Sequence, residues 1–251
     1  MEARYAAFGE PEFLMITLRA VTKYLGRGAM RIVVLDDIDL TIPRKARLVI
    51  LGQRGAGKTT LLQIMGGMQL PDSGQVKRRA SVSPPAGLVR YARSHGSTRQ
   101  LAGQLAQIYR MDPKAILEFV KEFVEIGNVL EQPIISLPSP LRQRLDYALT
   151  FAIPFDFYLF DERVSPATPT EFRDACHQAL QERLRGSGLV FATSSVRLAR
   201  QFDAAAAILH SGKLSLFPSV EDAIEVFQKL PPSIGHLGVS PSATEDGEEF
   251  G

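Results

Sequence analysis

A single cysteine in 251 residues, Cys176, excludes an internal disulfide, and its thiol is expected to be a small buried side chain without reactive work. Long apolar runs are missing too. The most apolar stretch, Leu145 to Phe160, is interrupted by Asp146, Pro154 and Asp156, well short of what crosses a bilayer. The opening residues, M-E-A-R-Y-A-A-F-G-E, lack the basic-then-apolar pattern of a secretory leader. Nor does charge of one sign prevail: a net charge of +2 gives no electrostatic reason to expect nucleic acid. A cytosolic chain is expected, and its 45% hydrophobic content suffices for one domain with a small subdomain.

What is present is sharper. Leu48 to Leu61 reads L-V-I-L-G-Q-R-G-A-G-K-T-T-L, an apolar run entering a glycine-rich turn and then a helical segment. Gly52, Gly57, Lys58 and Thr59 fit the phosphate-loop spacing G-x-x-x-x-G-K-[ST], with Gly55 as a further glycine. Glycines let successive N–H groups of the loop, through Ala56 to Thr60, converge on an anion. The helix beginning near Gly57 adds the positive end of its dipole. Lys58 is then expected to reach the β- and γ-phosphates, and the Thr59 hydroxyl to help hold Mg²⁺. The bland alternative is a turn that only imitates a phosphate loop; the flanking strand and helix argue against it.

Along the chain, residues 1–12 read as a flexible lead. Strands are expected at Phe13–Arg19, Arg31–Leu35, Asp37–Ile42, up to Gly52, and at Gln75–Arg79. A helix covers Gly57–Met68 and ends before the turn Pro71-Asp72-Ser73-Gly74. Ala80 to Gly96 has no clear period. From Thr98 the pattern becomes helical, with Leu101, Leu105, Ile108 and Tyr109 on one face. Asp112-Pro113 opens a second helix through Ile126, and a third runs Ser139–Ala152 with Leu141, Leu145, Ala148, Leu149 and Ala152 inward. Strand Phe155–Phe160, helix Pro169–Arg185, strand Gly188–Thr193, helix Val196–Phe202 and strand Ala205–His210 then alternate. That order predicts an α/β fold with a mainly parallel sheet. A last helix covers Ser219–Leu230, and the Pro-, Gly-, Ser- and acid-rich residues 231–251 read as disordered.

The strand before Asp161-Glu162 supplies the second part of a phosphate-loop NTPase. Asp161 is delivered to the Mg²⁺ shell at the C-terminal edge of the sheet, and Glu162 is placed to polarise an attacking water. An ordinary acidic strand end is the alternative; Lys58 upstream favours the paired interpretation. A carboxylate beside the metal ligand favours water as acceptor, hence a hydrolase over a kinase.

The phosphate loop, a helical insertion, Arg142-Gln143-Arg144 on a helix and then F-Y-L-F-D-E resemble, in that order, the ATP-binding subunits of ABC transporters. Within that family L-D-Y-A-L-T-F-A-I-P-F-D-F-Y-L-F-D-E, L-P-D-S-G-Q-V and E-F-R-D-A-C-H-Q-A-L look most like the subunits that export capsular or other surface polysaccharides. The resemblance implies an ABC-type cassette over 13–230, with an antiparallel N-terminal β part and a helical subdomain at about 93–150. It implies ATP and Mg²⁺ as ligands, an integral membrane permease and a second nucleotide-binding subunit as partners, no nucleic acid, and a peripheral place on the cytoplasmic face of the inner membrane. Tyr24 lies where the family stacks an aromatic on adenine; a strand-end aromatic is the other reading. The permease is expected at the groove between the sheet domain and the insertion from about Arg93 to Thr150, with Arg90 and Arg93 at its edge, although a solvated basic edge accounts for them at least as well.

Three family contacts to the γ-phosphate are altered. The signature L-S-G-G-Q corresponds to Leu137-Pro138-Ser139-Pro140-Leu141, and proline has no N–H to offer. Ser139 is the candidate stand-in for the lost serine, and is also expected to N-cap the following helix with Pro140 in its first turn. The usual glutamine falls near Arg93, and the usual histidine at Ser194 or Ser195; His95 and His210 match neither place. A serine hydrogen-bonds phosphate but brings no charge. ATP binding with slow hydrolysis is therefore expected, or, alternatively, a regulatory or assembly subunit with little turnover.

Overall fold

The computed structural model describes residues 14–26, 31–85, 95–124, 128–161, 182 and 185–231. Among these, two sheets share the work. The first is antiparallel, in the order β2-β1-β4, from β1 (Leu14–Leu25), β2 (Ile32–Pro43) and β4 (Ser73–Arg78). The second has the order β5-β6-β3-β7-β8, from β3 (Arg47–Leu51), β5 (Phe157–Asp161), β6 (Gly188–Thr193), β7 (Ala205–His210) and β8 (Lys213–Phe217). Its first four members are parallel and β8 closes one edge antiparallel to β7. The mixed α/β architecture is thus the one the strand–helix alternation predicts.

Burial explains which strand lies at the centre. Leu48, Val49, Ile50 and Leu51 are all buried, as a parallel strand covered on both faces requires. On one face they meet α1 (Lys58–Met65) and the first sheet, through Leu61, Leu62, Ile64, Leu35, Ile38 and Ile42. On the other, α5 (Val196–Ala199) and α6 (Val220–Phe227) cover Val49 and Leu51 with Ala199, Val220, Ala223 and Ile224.

The insertion between β4 and β5 contains α2 (Thr98–Tyr109), α3 (Pro113–Val124), short 3₁₀ turns at Asn128–Glu131 and Ile134–Ser136, and α4 (Ser139–Ala152). Its aromatic core is continuous with the sheet: Phe151 lies 6.2 Å from Tyr158 and 6.0 Å from Phe160, centroid to centroid. The Tyr158 hydroxyl, taken out of water, donates to the Ile153 carbonyl at 2.8 Å.

Several expectations need correction. Arg31–Leu35 and Asp37–Ile42 are one strand, because Asp37 takes a left-handed φ of 54° as a bulge and its N–H is satisfied by Thr22 Oγ1 at 3.1 Å. Strand β1 continues past Arg19 to Leu25. Ile108 is 68% exposed, away from the buried Leu101 and Leu105, so the apolar face of α2 is narrower than the spacing suggests. Residues 81–83, within the stretch read as having no clear period, lie against β5. Val82 pairs in parallel with Phe157, and Ser83 Oγ accepts from the Leu159 N–H at 2.9 Å, extending the sheet beyond β5. Ser139 does not N-cap α4: it is the first residue of the helix, Pro138 holds the cap position, and no side-chain cap bond forms. Strand β8, for which the sequence pattern gives no expectation, follows a turn at Ser211-Gly212, with φ of 48° and 77°. The expected helix 169–185 lies almost wholly outside the described residues, as do the lead and all but the first residue of the 231–251 segment.

Candidate nucleotide site at the carboxyl edge of the sheet

The loop after β3 is shaped by close approaches. A side chain on Gly52 would meet the Leu209 carbonyl of β7 at 2.9 Å, so the chain can pass there only without one. Gly57 has φ 97°, ψ 5°, the left-handed entry to α1, and a Cβ there would lie 2.6 Å from Val34 Cγ1 of β2. Gly55, at φ 85°, has no neighbour within 4 Å of such a Cβ and faces open space. The loop therefore presents backbone outward at Gly55 and packs backbone inward at Gly52 and Gly57. Ala56 is buried, and its N–H donates to the Gln53 carbonyl at 3.1 Å.

Lys58 is 8% exposed, and its ammonium donates to the carbonyls of Gly52 at 2.6 Å and Gln53 at 3.0 Å. A buried ammonium must have such oxygens nearby, and a phosphate oxygen arriving at the loop offers the same chemistry with full charge. Thr60 is buried behind it. Thr59 turns the other way, its hydroxyl donating to Asp161 Oδ2 at 2.5 Å across the sheet edge. Asp161, 2% exposed, ends β5 opposite Ala192 of β6. A hydroxyl and a carboxylate oxygen converging at the mouth of an anion-binding loop are the hard oxygen donors that Mg²⁺ takes. The residues present fit Mg²⁺ and a nucleotide polyphosphate.

Sheet order places Ser194. It follows β6, which lies between β5 and β3, so it emerges between Asp161 and the phosphate loop. Ser195 is committed elsewhere: its hydroxyl accepts from the Leu198 N–H at 3.4 Å as the N-cap of α5. Both serine candidates leave the carboxyl end of β6 at this edge. Glu162 and Arg93 lie outside the described residues. Ser139 is exposed at the head of α4, where Pro138 and Pro140 leave only the N–H groups of Ser139 and Leu141 before Arg142 N–H turns back to the Pro138 carbonyl at 3.0 Å.

Tyr24 is half-buried at the end of β1, facing Val33 of β2. Asp72 fixes this corner, accepting from the Tyr24 N–H at 2.7 Å and from the Lys23 ammonium at 3.2 Å. Burial alone would raise the Asp72 carboxyl's pKa, but those donors and the charges of Lys23 and Arg31 hold it below its ordinary value. Two contacts that the sequence did not single out involve the loop and the helix it opens. Arg78, ending β4, donates through Nε to the Met65 carbonyl at 2.6 Å and through Nη2 to the Ile64 carbonyl, placing a cation at the C-terminal end of α1. Gln53 Nε2 donates to the Pro231 carbonyl at 3.0 Å, bringing the chain after α6 beside the loop. No local pattern announces either contact, because each joins residues far apart in sequence.

The model of the ABC transporter family matches residues 35–165. The polysialic acid transport ATP-binding protein KpsT of Escherichia coli is 30% identical over 217 residues, covering 85% of this chain and 96% of that protein. The capsule polysaccharide export ATP-binding protein CtrD of Neisseria meningitidis serogroup B is 31% identical over 223 residues, covering 86% of this chain and all of that one. Among solved structures, a dimeric ATP-binding cassette bound to ADP and Pi superposes with a TM-score of 0.67 at 20% identity, over 82% of this chain and 99% of that chain. The chain belongs to the ABC transporter family, as one of its ATP-binding subunits.

Proposed function

We propose that this chain binds ATP with Mg²⁺ and couples binding and slow hydrolysis to export of a polysaccharide through an integral membrane permease. The observation that carries the proposal is the convergence of Lys58, Thr59 and Asp161 at one edge of the sheet. The polysaccharide assignment is supported by relatives whose names specify polysialic acid or capsule polysaccharide. The working unit is 13–230, on the cytoplasmic face of the inner membrane; no helix among the described residues is long and apolar enough to cross it.

Each side chain has a distinct task in this scheme. The N–H groups of Gly55 and of Gly57 to Thr60 and the Lys58 ammonium take the phosphates, Lys58 exchanging loop carbonyls for phosphate oxygens, while the Ala56 N–H keeps the turn closed on the Gln53 carbonyl. Thr59 and Asp161 would hold the metal, which when bound would neutralise charge on the phosphate oxygens. Glu162 accepts the proton of the attacking water, and Ser194 donates a hydrogen bond to the terminal phosphate. Tyr24 stacks on the base. A second nucleotide-binding subunit faces the loop, and its counterpart of the α4 start completes the site. The permease docks at the groove between the sheet domain and the insertion, over about residues 93–150.

Slow turnover follows from the two prolines. Removing one preorganised donor to developing charge typically costs about a hundred- to a thousandfold in rate, and Pro138 and Pro140 each lack one. The same observation favours a second reading, in which the chain is a regulatory or assembly subunit and ATP controls dimerisation with little turnover. Co-purification from membranes, with ATPase activity measured in the recovered complex, tests both. A permease-bound complex with stimulated turnover that Glu162→Gln abolishes is the expected result. Recovery of the complex without stimulation favours the second reading, and unchanged nucleotide affinity in Lys58→Ala overturns both.

A further inference from the structure

We propose that the outer face of the first sheet, at the end where β1 begins, holds an acidic polysaccharide through Arg19, Lys77 and Arg79. The choice of polymer rests on the export reading above. Strand alternation builds the face. Ile16 and Leu18 of β1 are buried and stand opposite Arg78 and Val76 of β4. Those two point inward as well: Val76 packs on the core, and Arg78 reaches the carbonyls at the end of α1. Thr17 and Arg19 therefore face outward, opposite Lys77 and Gln75. Arg79 continues the outward series, because Ala80 after it packs on the core again. Arg19 is diagonal to Lys77 across the strand pair, roughly 7–8 Å away, and Lys77 and Arg79 are about 7 Å apart along β4. Arg44 and Lys45 lie in the exposed turn after β2, at the same end of the sheet. All five cations are exposed, and none forms an ion pair among the described residues. Asp39, outward on β2, accepts from the Ala20 N–H at 3.1 Å. The net charge of +2 is thus unevenly spread.

A concentrated group of such cations attracts a polyanion, and each contact releases counterions. The neutral residues of the face decide which polyanion. Thr17 and Gln75, with Thr41 opposite Thr17 on β2, interleave with the cations. Their hydroxyl and amide groups both donate to and accept from sugar hydroxyls. None of the outward positions Thr17, Arg19, Asp39, Thr41, Gln75 and Lys77 is aromatic, so a nucleic-acid base has no platform to stack on. None is large and apolar, so nothing here enters a bilayer interface. Leu25 and Ile32, an exposed apolar pair of the hairpin, lie at its far end. A polymer that carries both carboxylates and hydroxyls matches both kinds of group, the carboxylates through charge-assisted bonds to arginine and lysine. β4 ends the sheet order, so no further strand among the described residues covers that side. Holding the polymer on the cassette raises its concentration at the transporter without a closed pocket.

The experiment is biolayer interferometry of the full chain on immobilised polysialic acid, with dextran as the neutral polymer. It is repeated with the triple variant Arg19→Gln, Lys77→Gln, Arg79→Gln. A control removes the same charge from exposed positions elsewhere, Lys114→Gln, Lys121→Gln and Lys229→Gln. The wild type is expected to bind polysialic acid and not dextran, with affinity falling about tenfold or more between roughly 50 and 200 mM salt. The face variant is expected to lose about tenfold or more in affinity, and the control less than about threefold. Absence of binding, equal binding to dextran, or equal losses in the two variants overturns the proposal; the last would mean that net charge alone attracts the polymer. Tighter binding to phosphatidylglycerol vesicles or to oligothymidylate at the same salt overturns it too, in favour of a membrane or a nucleic acid. Failure of the export reading is distinguishable. Lys58→Ala leaves this face intact, so unchanged nucleotide affinity in that variant would remove the ATP-driven motor without altering the polymer measurement.

Discussion

The Thr59 hydroxyl and the Asp161 carboxylate meet at 2.5 Å, joining positions 102 residues apart in the chain. One begins the helix after the central strand; the other ends the strand two places away in the sheet. Parallel order sends both to the same edge, so the meeting of this hydroxyl and this carboxylate is a product of topology.

Asp161→Asn keeps the shape and removes the charge. Without Mg²⁺, ATP affinity is expected to stay level or rise, since a buried anion near phosphate has gone. With Mg²⁺, the gain in affinity that the ion gives the wild type should shrink about tenfold or more, the scale on which losing a side chain that supports a metal site acts. Titration calorimetry at matched ionic strength reads both. An unchanged Mg²⁺ dependence would remove Asp161 from the metal site.

Replacing Pro138→Ser together with Pro140→Gly restores two N–H groups at the start of α4. Turnover by the purified protein is expected to rise at least tenfold, a conservative fraction of the hundred- to thousandfold attached to a single donor. Affinity for ATP should move far less, because it depends on the phosphate loop. Equal rates for wild type and double variant would mean that the prolines do not limit catalysis.

Arg78→Ala leaves the carbonyls of Ile64 and Met65 without their cationic partner at the negative end of α1. The expected loss is about 2 kcal/mol, or a Tm lower by roughly 5 °C. Burial already lowers the Arg78 pKa, but an arginine stays charged throughout the working range, so the effect should be independent of pH. Thermal unfolding followed by circular dichroism at pH 6 and pH 9 tests this, and a strongly pH-dependent difference would contradict it.

Asp72 gives the opposite behaviour. Its folded pKa lies below the unfolded value near 4, so the unfolded chain binds the proton more readily. The stability it contributes is full above that unfolded value and is lost as pH falls through the folded pKa. Urea midpoints should therefore drop between about pH 5 and pH 2 more steeply in the wild type than in Asp72→Asn. The two proteins should differ at pH 6 and converge at the acid end; parallel curves would exclude Asp72 as a source of acid sensitivity.

Much of this site was legible because its parts are local. The phosphate loop is eight consecutive residues whose spacing encodes its own geometry, and Asp161 closes an unmistakable apolar strand. The α/β alternation was equally readable from short buried runs. What escaped depends on contacts between distant segments. The Asp37 bulge requires Thr22 across the hairpin, the pairing of 81–83 requires β5 as a template, and Arg78 finds its acceptors only once α1 and β4 are packed together. The misassigned cap at Ser139 has a different origin: two prolines shift the helix start by one residue, and local preference for serine could not weigh that against backbone geometry.

The hydrogen bond from Gln53 to the Pro231 carbonyl has a practical consequence. A small fluorophore attached at Lys229, two residues before that contact and exposed, would sit near the loop without touching Lys58, Thr59 or Asp161. Its emission should then report occupancy of the loop in real time, in detergent or in a reconstituted vesicle, with no need to follow phosphate release.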